Sequence, residues 1–214
     1  ELKGKKVLIT AGPTHEKIDP VRFIGNHSSG KMGYALAEEC AARGAEVILV
    51  SGPVQIKAKH PNIKTISVES AGEMFEATSA EFDSANITIL CAAVADFRPE
   101  TQADEKIKRE KDDLVIRLKP TQDIAANLGA RKRDDQILVG FALETNNEAE
   151  NAQGKLQRKN LDFIVLNSLK DANACFGYDT NKITIIEKNG NTQAFELKSK
   201  TEVAKDIIDK ICKA

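Results

Sequence analysis

The sequence predicts an α/β fold: a three-layer α/β/α sandwich whose sheet is mostly parallel, with an antiparallel addition near the C-terminus. Three observations carry this. Short apolar runs at residues 5–10, 46–51, 87–93, 137–141 and 163–166 have the length of buried strands. Segments of helical periodicity separate most of them, the spacing of strand–helix–strand units with parallel strands. Late in the chain, runs at 183–186 and 194–197 flank Asn189-Gly190, a hairpin signal. A parallel sheet covered by helices on both faces is Rossmann-like in arrangement.

In chain order, Val7, Leu8 and Ile9 form the first strand. A helix starts near Gly30, carries Ala35, Leu36, Ala37, Cys40 and Ala41 on one face, and stops at Arg43-Gly44. Val47 to Val50 make the second strand, closed by Gly52-Pro53, and residues 63–68 a third, with Ile66 and Val68 alternating. Ser70 and Glu73 form a capping box for a helix bearing Met74, Phe75 and Phe82. Residues 87–93 are a buried strand, 114–118 another, and 121–128 a short helix stopped by Gly129. A strand at 137–141 precedes a helix at about 147–159, weakened by Gly154. After the strand at 163–166 and the hairpin, Ser199 and Glu202 cap a last helix with Val203, Ile207, Ile208 and Ile211 on one face. Neither a repeat nor a linker divides the chain, so its 214 residues read as a single domain.

Composition narrows the function classes. A hydrophobic share of 41% suffices for a sizeable core, and a net charge of -1 gives no electrostatic case for nucleic acid or an anionic membrane. No apolar run reaches the length of a membrane span, and no signal peptide is visible. Cys40, Cys91, Cys175 and Cys212 are widely spaced and form no C-x-x-C pair, the usage of reduced thiols in a cytoplasmic protein. The first residue is Glu1 rather than Met, which suits a domain excised from a longer chain.

The stretch from Arg22 to Gly33 is polar and glycine-punctuated, and it leads into a helix. A helix start offers unpaired N–H groups, and small residues let a phosphate approach them. Ser28, Ser29, Gly30 and Lys31, with Gly12 in the first strand's loop, therefore read as a phosphate loop. Gly25 to Lys31 matches the first seven positions of a Walker A loop, but the Mg²⁺-binding Ser or Thr is replaced by Met32 and no strand leads directly into it. A nicotinamide site fits worse. The first loop is Ala-Gly-Pro-Thr, and the second strand ends in Ser51-Gly52-Pro53 without a carboxylate for the ribose.

Open α/β sheets bind ligands beyond the carboxyl ends of their strands. Polar clusters fall there at 11–14, at Asp96 and Arg98, at 144–147, and at Asn167 and Ser168. A charged segment, 104–113, holds Lys106, Lys108, Arg109 and Lys111 among carboxylates and suits a flap over a polyphosphate. Lys155 and Lys159 share a helix face. His15, His27 and His60 have no metal-ligand spacing, and no metal site is expected from the protein; only His27 lies in the phosphate loop.

Assembled, these motifs resemble the phosphopantothenoylcysteine synthetase family of coenzyme A biosynthesis. The likeness runs through Ala-Gly-Pro-Thr (11–14), Asp-Pro-Val-Arg-Phe-Ile (19–24), Asn-His-Ser-Ser-Gly-Lys-Met-Gly (26–33), Ala-Ala-Val-Ala-Asp-Phe-Arg-Pro (92–99), Lys-Ile-Lys-Arg (106–109), Gly-Phe-Ala-Leu-Glu-Thr-Asn (140–146) and the Lys-x-x-x-Lys-Asn helix end (155–160). The resemblance implies a ligase for 4'-phosphopantothenate and L-cysteine, with CTP and Mg²⁺ as co-substrate and an acyl-cytidylate intermediate. It implies nucleotide contacts at Cys91, Ala92, Asp96, Lys106, Gln122, Asp123, Ile124, Ala125, Phe141, Lys155 and Lys159. It places 4'-phosphopantothenate at Asn26, Arg22 and Ala93, with Asn26 and Lys106 in catalysis. The family's basic flap usually ends in Lys, and Arg109 keeps that charge. The resemblance also implies a homodimer, no nucleic-acid or membrane partner, and a parent chain whose N-terminal half is an FMN-dependent phosphopantothenoylcysteine decarboxylase. Two other classes remain: an NAD(P)-binding oxidoreductase, which cofactor absorbance would reveal, and a nucleotide-sensing module that binds CTP without releasing pyrophosphate.

Overall fold

The computed structural model describes all residues except 110, 111, 145, 169–173, 175 and 214. Of the residues singled out above, Lys111, Thr145 and Cys175 therefore lie outside the described residues. Strand β1 (Lys6–Ala11) leads into an antiparallel ribbon of β2 (His15–Lys17) and β3 (Phe23–Gly25). Helix α1 (Lys31–Ala42), β4 (Glu46–Ser51), β5 (Ile63–Ser67), α2 (Ala71–Phe82) and β6 (Ile87–Leu90) follow. A second ribbon pairs β7 (Phe97–Pro99) with β8 (Leu118–Pro120). Next come α3 (Ile124–Arg131), β9 (Ile137–Glu144), α4 (Glu148–Arg158) and β10 (Phe163–Ser168). The chain ends with β11 (Thr180–Asn181), β12 (Thr184–Glu187), β13 (Thr192–Ala194), β14 (Lys198–Ser199) and α5 (Lys200–Ile211), β11 pairing with β14.

Eight strands form one sheet in the order β13-β12-β10-β9-β6-β1-β4-β5. The six from β10 to β5 run parallel, and β12 and β13 are the antiparallel addition. The expected three layers are present. Val7 and Ile9 of β1 face one core with Leu36 of α1 and Ile207 of α5, while Leu8 faces the other with Met74 of α2, Leu128 of α3 and Leu156 of α4. The period-2 alternation of a strand thus sorts one apolar run into two cores. Among the described residues, no helix is long and apolar enough to cross a membrane.

Caps set the helix ends. Ser199 and Glu202 close the expected reciprocal box on α5. At α2, Ser70 Oγ accepts from Glu73 N, but the Glu73 carboxylate takes Glu69 N at 2.7 Å, and buried Glu16 takes Ala71 N at 2.8 Å. Several expected boundaries move. Thr121 is held by Ala95 O and Asp96 O, so α3 begins at Ile124 with Asp123 as its cap. Gly129 does not stop it but lies inside it, where a β-carbon would sit 1.9 Å from Lys159 O. Residues 114–117 join no strand, with Val115 87% exposed, and pairing begins only at Leu118. The strand expected at 87–93 leaves the sheet after Leu90, and β9 continues to Glu144.

Gly52 shows how tightly the strand ends are packed. A β-carbon there would lie 1.6 Å from Pro13 O, in the loop that follows β1. Gly52→Ala should therefore lower stability by roughly 1–3 kcal/mol, the usual cost of overpacking. Urea unfolding measures it, and an unchanged midpoint would show that the two strand ends can separate freely.

Candidate active site

The parallel strands carry the site to one place. Their order reverses between β1 and β6, because α1 carries the chain outward to β4 and α2 brings it back beyond β1. The loops that leave β1 and β6 therefore diverge and open a crevice at the carboxyl edge. Three hydrogen bonds stitch them at the base: Ala92 N to Thr10 Oγ1 at 3.2 Å, Ala93 N to Gly12 O at 2.9 Å, and Ala95 N to buried Thr14 Oγ1 at 2.9 Å. Above the stitch lies a cleft of ≈ 530 Å³.

Helix α1 opens onto this cleft. Its N-cap, Gly30, is left-handed at φ 77° and supplies no side-chain cap, and its first turn holds no acid. Gly30 and Gly33 press the helix start onto β1: a β-carbon on Gly33 would meet Ala11 Cβ at 2.5 Å. Ser28, Ser29, Gly30 and Lys31 line the cleft, and so do Asn26 and Ala93, joined by Asn26 Nδ2 donating to Ala93 O at 2.8 Å. Lys31 Nζ pairs with Asp179 Oδ1 at 2.6 Å.

The predicted nucleotide contacts, Lys106 apart, line the same cleft. Cys91, Ala92 and Asp96 follow β6; Gln122, Asp123, Ile124 and Ala125 start α3; Phe141 comes from β9; Lys155 and Lys159 come from the end of α4. Lys159 Nζ lies 3.0 Å from Asp123 Oδ2, and Lys155 Nζ lies 2.7 Å from Glu144 Oε1. Burial opposes ionisation of Asp123, but the Ala126 amide and Lys159 outweigh it and hold its carboxyl below the usual range. Burial pushes the Cys91 thiol up to about 12, so it is a neutral wall residue rather than a nucleophile. Among the described residues, no group of three or more His, Cys, Asp or Glu could hold a metal ion.

Three predicted residues stand outside this lining: Gly12, Arg22 and Lys106. Gly12 lies beneath it, with Gly30 packed over its backbone. Arg22 donates to the Asp19 carboxylate and, at 2.7 Å, to Ile107 O. Lys106 is exposed, in a segment tied down on both sides by Ala103 N to Ile18 O and Ile107 N to Asp19 Oδ2. His27 is exposed and not part of the lining, and Arg98 lies in β7, outside it. Conversely, Phe176, Asn181 and Lys200 line the cleft although no motif named them. Asn167 lines it too, and among the described residues its buried Oδ1 has no hydrogen-bond partner, an acceptor open to a ligand donor.

A profile of the family described as the DNA/pantothenate metabolism flavoprotein C-terminal domain matches residues 2–214. The chain belongs to this family. It is 60% identical over 210 residues to a protein named cysteine/cysteine sulfinic acid decarboxylase from an unknown prokaryotic organism, covering 98% of this chain and 58% of that one. It is 48% identical over 210 residues to the coenzyme A biosynthesis bifunctional protein of Bacillus subtilis (strain 168), covering 98% and 52%. The chain thus spans little more than half the length of these curated relatives. A crystal structure of the C-terminal domain of a coenzyme A biosynthesis bifunctional protein is 44% identical, with a TM-score of 0.83 and coverage of 98% of this chain and 95% of that one.

Asp19 ties the basic segment to this family domain. Its buried carboxylate accepts from the amides of Val21, Arg22 and Ile107 and from the Arg22 guanidinium. Arg22 first, then those amides, hold its carboxyl well below the usual range against the opposing effect of burial. A depressed folded-state value contributes stability that is complete above the unfolded value, about 3.9, and is lost as pH falls below it. Thermal melts from pH 6 down to pH 2.5 should fall more steeply for the wild type than for Asp19→Asn. Parallel acid limbs would show that Asp19 contributes nothing through its charge.

Proposed function

We propose that this domain joins 4'-phosphopantothenate to L-cysteine, converting CTP to CMP and pyrophosphate. The observation that carries the reading is the cleft at the β1/β6 switch point: the uncapped start of α1 lies on one wall, Lys155 and Lys159 on the other, and Asn26 beside Ala93 between the diverging loops. A carboxylate activated by a nucleotide needs positioning and charge neutralisation more than a protein nucleophile, and these residue types supply both. The pantothenate carboxylate attacks the α-phosphorus of CTP and pyrophosphate leaves, giving an acyl-cytidylate. The cysteine amine then attacks the acyl carbon, loses a proton, and CMP leaves. Mg²⁺ would arrive as part of the nucleotide substrate and would help to neutralise its phosphate charge.

Asn26 suits the acyl oxygen. One amide N–H is on Ala93 O, and an uncharged amide can follow charge developing on the acyl group without neutralising a neighbouring phosphate. Lys106 would close over the phosphates from its tied segment. Exposed Val21, Phe23, Phe97 and Leu118, on and beside the two ribbons, suit a second copy of this chain. We further take the domain to act in the cytoplasm, within a longer chain that carries an FMN-dependent decarboxylase ahead of it.

CTP, Mg²⁺ and 4'-phosphopantothenate without cysteine should give a burst of pyrophosphate and no free CMP, and added cysteine should release CMP and the amide together. In Asn26→Ala the burst should survive better than the second step, since one transition-state donor is worth about 2.7–4 kcal/mol in the step it serves. Orthophosphate with CDP would mean γ-phosphoryl transfer and sink this route, and release of CO₂ from cysteine would replace ligation by decarboxylation. Lys106→Gln should lower turnover by roughly tenfold to a hundredfold at unchanged melting, the loss of one charged contact of about 1.5–3 kcal/mol. Wild-type turnover in that variant would remove Lys106 from the reaction.

A further inference from the structure

Asp19 uses its two carboxylate oxygens for two different tasks. It lies in the turn that joins β2 to β3 and is 1% exposed. Oδ1 accepts the amides of Val21 and Arg22, both at 2.8 Å, within its own turn. A turn of this kind is served as well by Asn or Ser, each of which offers one oxygen. Oδ2 does something the turn does not need. It accepts the amide of Ile107, 88 residues along the chain, at 3.1 Å, together with the Arg22 guanidinium. A carboxylate supplies that second acceptor, whereas the NH₂ of an Asn would set a donor against these donors.

Ile107 is held at both of its backbone groups. Its N–H is on Asp19, and its carbonyl accepts from Arg22 Nη2 at 2.7 Å. A second tie lies nearer β7, with Ala103 N on Ile18 O at 3.0 Å. The held residue stands amid cations, Lys106 before it and Lys108 and Arg109 after it, all exposed. Without the ties this stretch would be part of a long charged loop between β7 and β8, and a ligand collecting its cations would have to order it on binding. A tie formed beforehand removes part of that cost. The turn that makes it runs on through β3 to Asn26, which lines the cleft. The basic segment is thus fastened to the same ribbon that delivers Asn26.

We propose that Asp19 is a positioning residue for the nucleotide: through Oδ2 it holds Ile107, so that Lys106, Lys108 and Arg109 meet the triphosphate from a fixed point. This rests on the ligase reading for the identity of that anion as CTP. Asp19 itself touches no ligand. Its effect passes through the cations beside Ile107, and it should vanish when those are made neutral.

The test compares the wild-type chain with two variants. Asp19→Asn keeps the Oδ1 side and turns the Oδ2 side into a donor; Ile107→Pro removes the held amide and leaves Asp19 intact. Trypsin under native conditions should cut both after Lys108 and Arg109 roughly tenfold faster than the wild type, the loss of one charge-assisted hydrogen bond. Calorimetry with CTP and Mg²⁺ should show affinity weakened roughly threefold to tenfold in both, as the competent position becomes less populated. Neither substitution should weaken CTP further in a chain already carrying Lys106→Gln, Lys108→Gln and Arg109→Gln. Wild-type cleavage rates overturn the proposal, as do cuts spread evenly along the chain or faster cutting with unchanged CTP affinity. An equal loss of affinity with and without the three cations would make Asp19 purely structural and overturn it, and so would failure of both variants to fold. A wild-type chain that binds CTP in this Asp19-dependent way, yet makes no phosphopantothenoylcysteine, would sink the ligase reading and leave Asp19 in its role.

Discussion

The site depends on the stitch between the loops that leave β1 and β6. Parallel strands cannot hold their exit loops together, because each loop departs toward its own helix. Here α1 and α3 lie on opposite faces of the sheet. Two buried threonine hydroxyls and one glycine carbonyl accept the amides of Ala92, Ala93 and Ala95, and so fix the floor from which both walls rise. The same bonds satisfy backbone donors that would otherwise be buried without partners. They also explain Gly12, which lies under the cleft rather than along it. Its carbonyl holds Ala93, its missing side chain leaves room for Val54 and the Gly52 carbonyl, and its backbone lies under Gly30 at the α1 start.

How much of this is legible in the chain follows from whether the deciding interaction is local. The parallel core is legible because each buried strand is a run of apolar residues. The α5 cap is legible because both partners lie within one turn. The two ribbons are not. Their strands are three residues long and half-exposed, with no periodicity to detect, and their pairing spans a loop in one case and a charged segment in the other. Gly129 misleads for a related reason. A glycine near a helix end usually marks a stop, but here the space is needed by Lys159 O, far along the chain.

The candidate site divides in the same way. Motifs named Asn26, Asp96, the α3 turn, Phe141 and the two α4 lysines, and the fold brings all of these to one cleft. Composition could not name Lys200, because a lone lysine after a capping serine resembles any solvated helix residue until its burial is known. A local clue was nonetheless present. Lysine in the first turn of a well-capped helix runs against the helix dipole. Arg22 and Lys106 show the converse, since both carry motif signals yet Arg22 sits on the Asp19 anchor and Lys106 is exposed beside Ile107, which that anchor holds.

Lys31, Lys155 and Lys159 carry carboxylate partners among the described residues, and burial separates the roles of those partners. The Glu144 side chain is 13% exposed beside Lys155, Asp123 is 49% exposed beside Lys159, and Asp179 is 87% exposed beside Lys31. A solvated pair is nearly isoenergetic with its separated ions. Asp179 can therefore release Lys31 at little cost, which makes the α1 side the wall that yields. A pair shielded from water resists separation, because parting it leaves an uncompensated charge. Glu144 thus fixes where Lys155 stands. Asp123 is further committed, since it also caps α3 through Ala126 N at 2.9 Å. The two walls then differ in kind: the α4 wall presents cations already positioned and half-neutralised, and the α1 wall holds Lys31 in a pair that water can open. A ligand whose charge is concentrated at one end gains most by placing that end against the wall that yields.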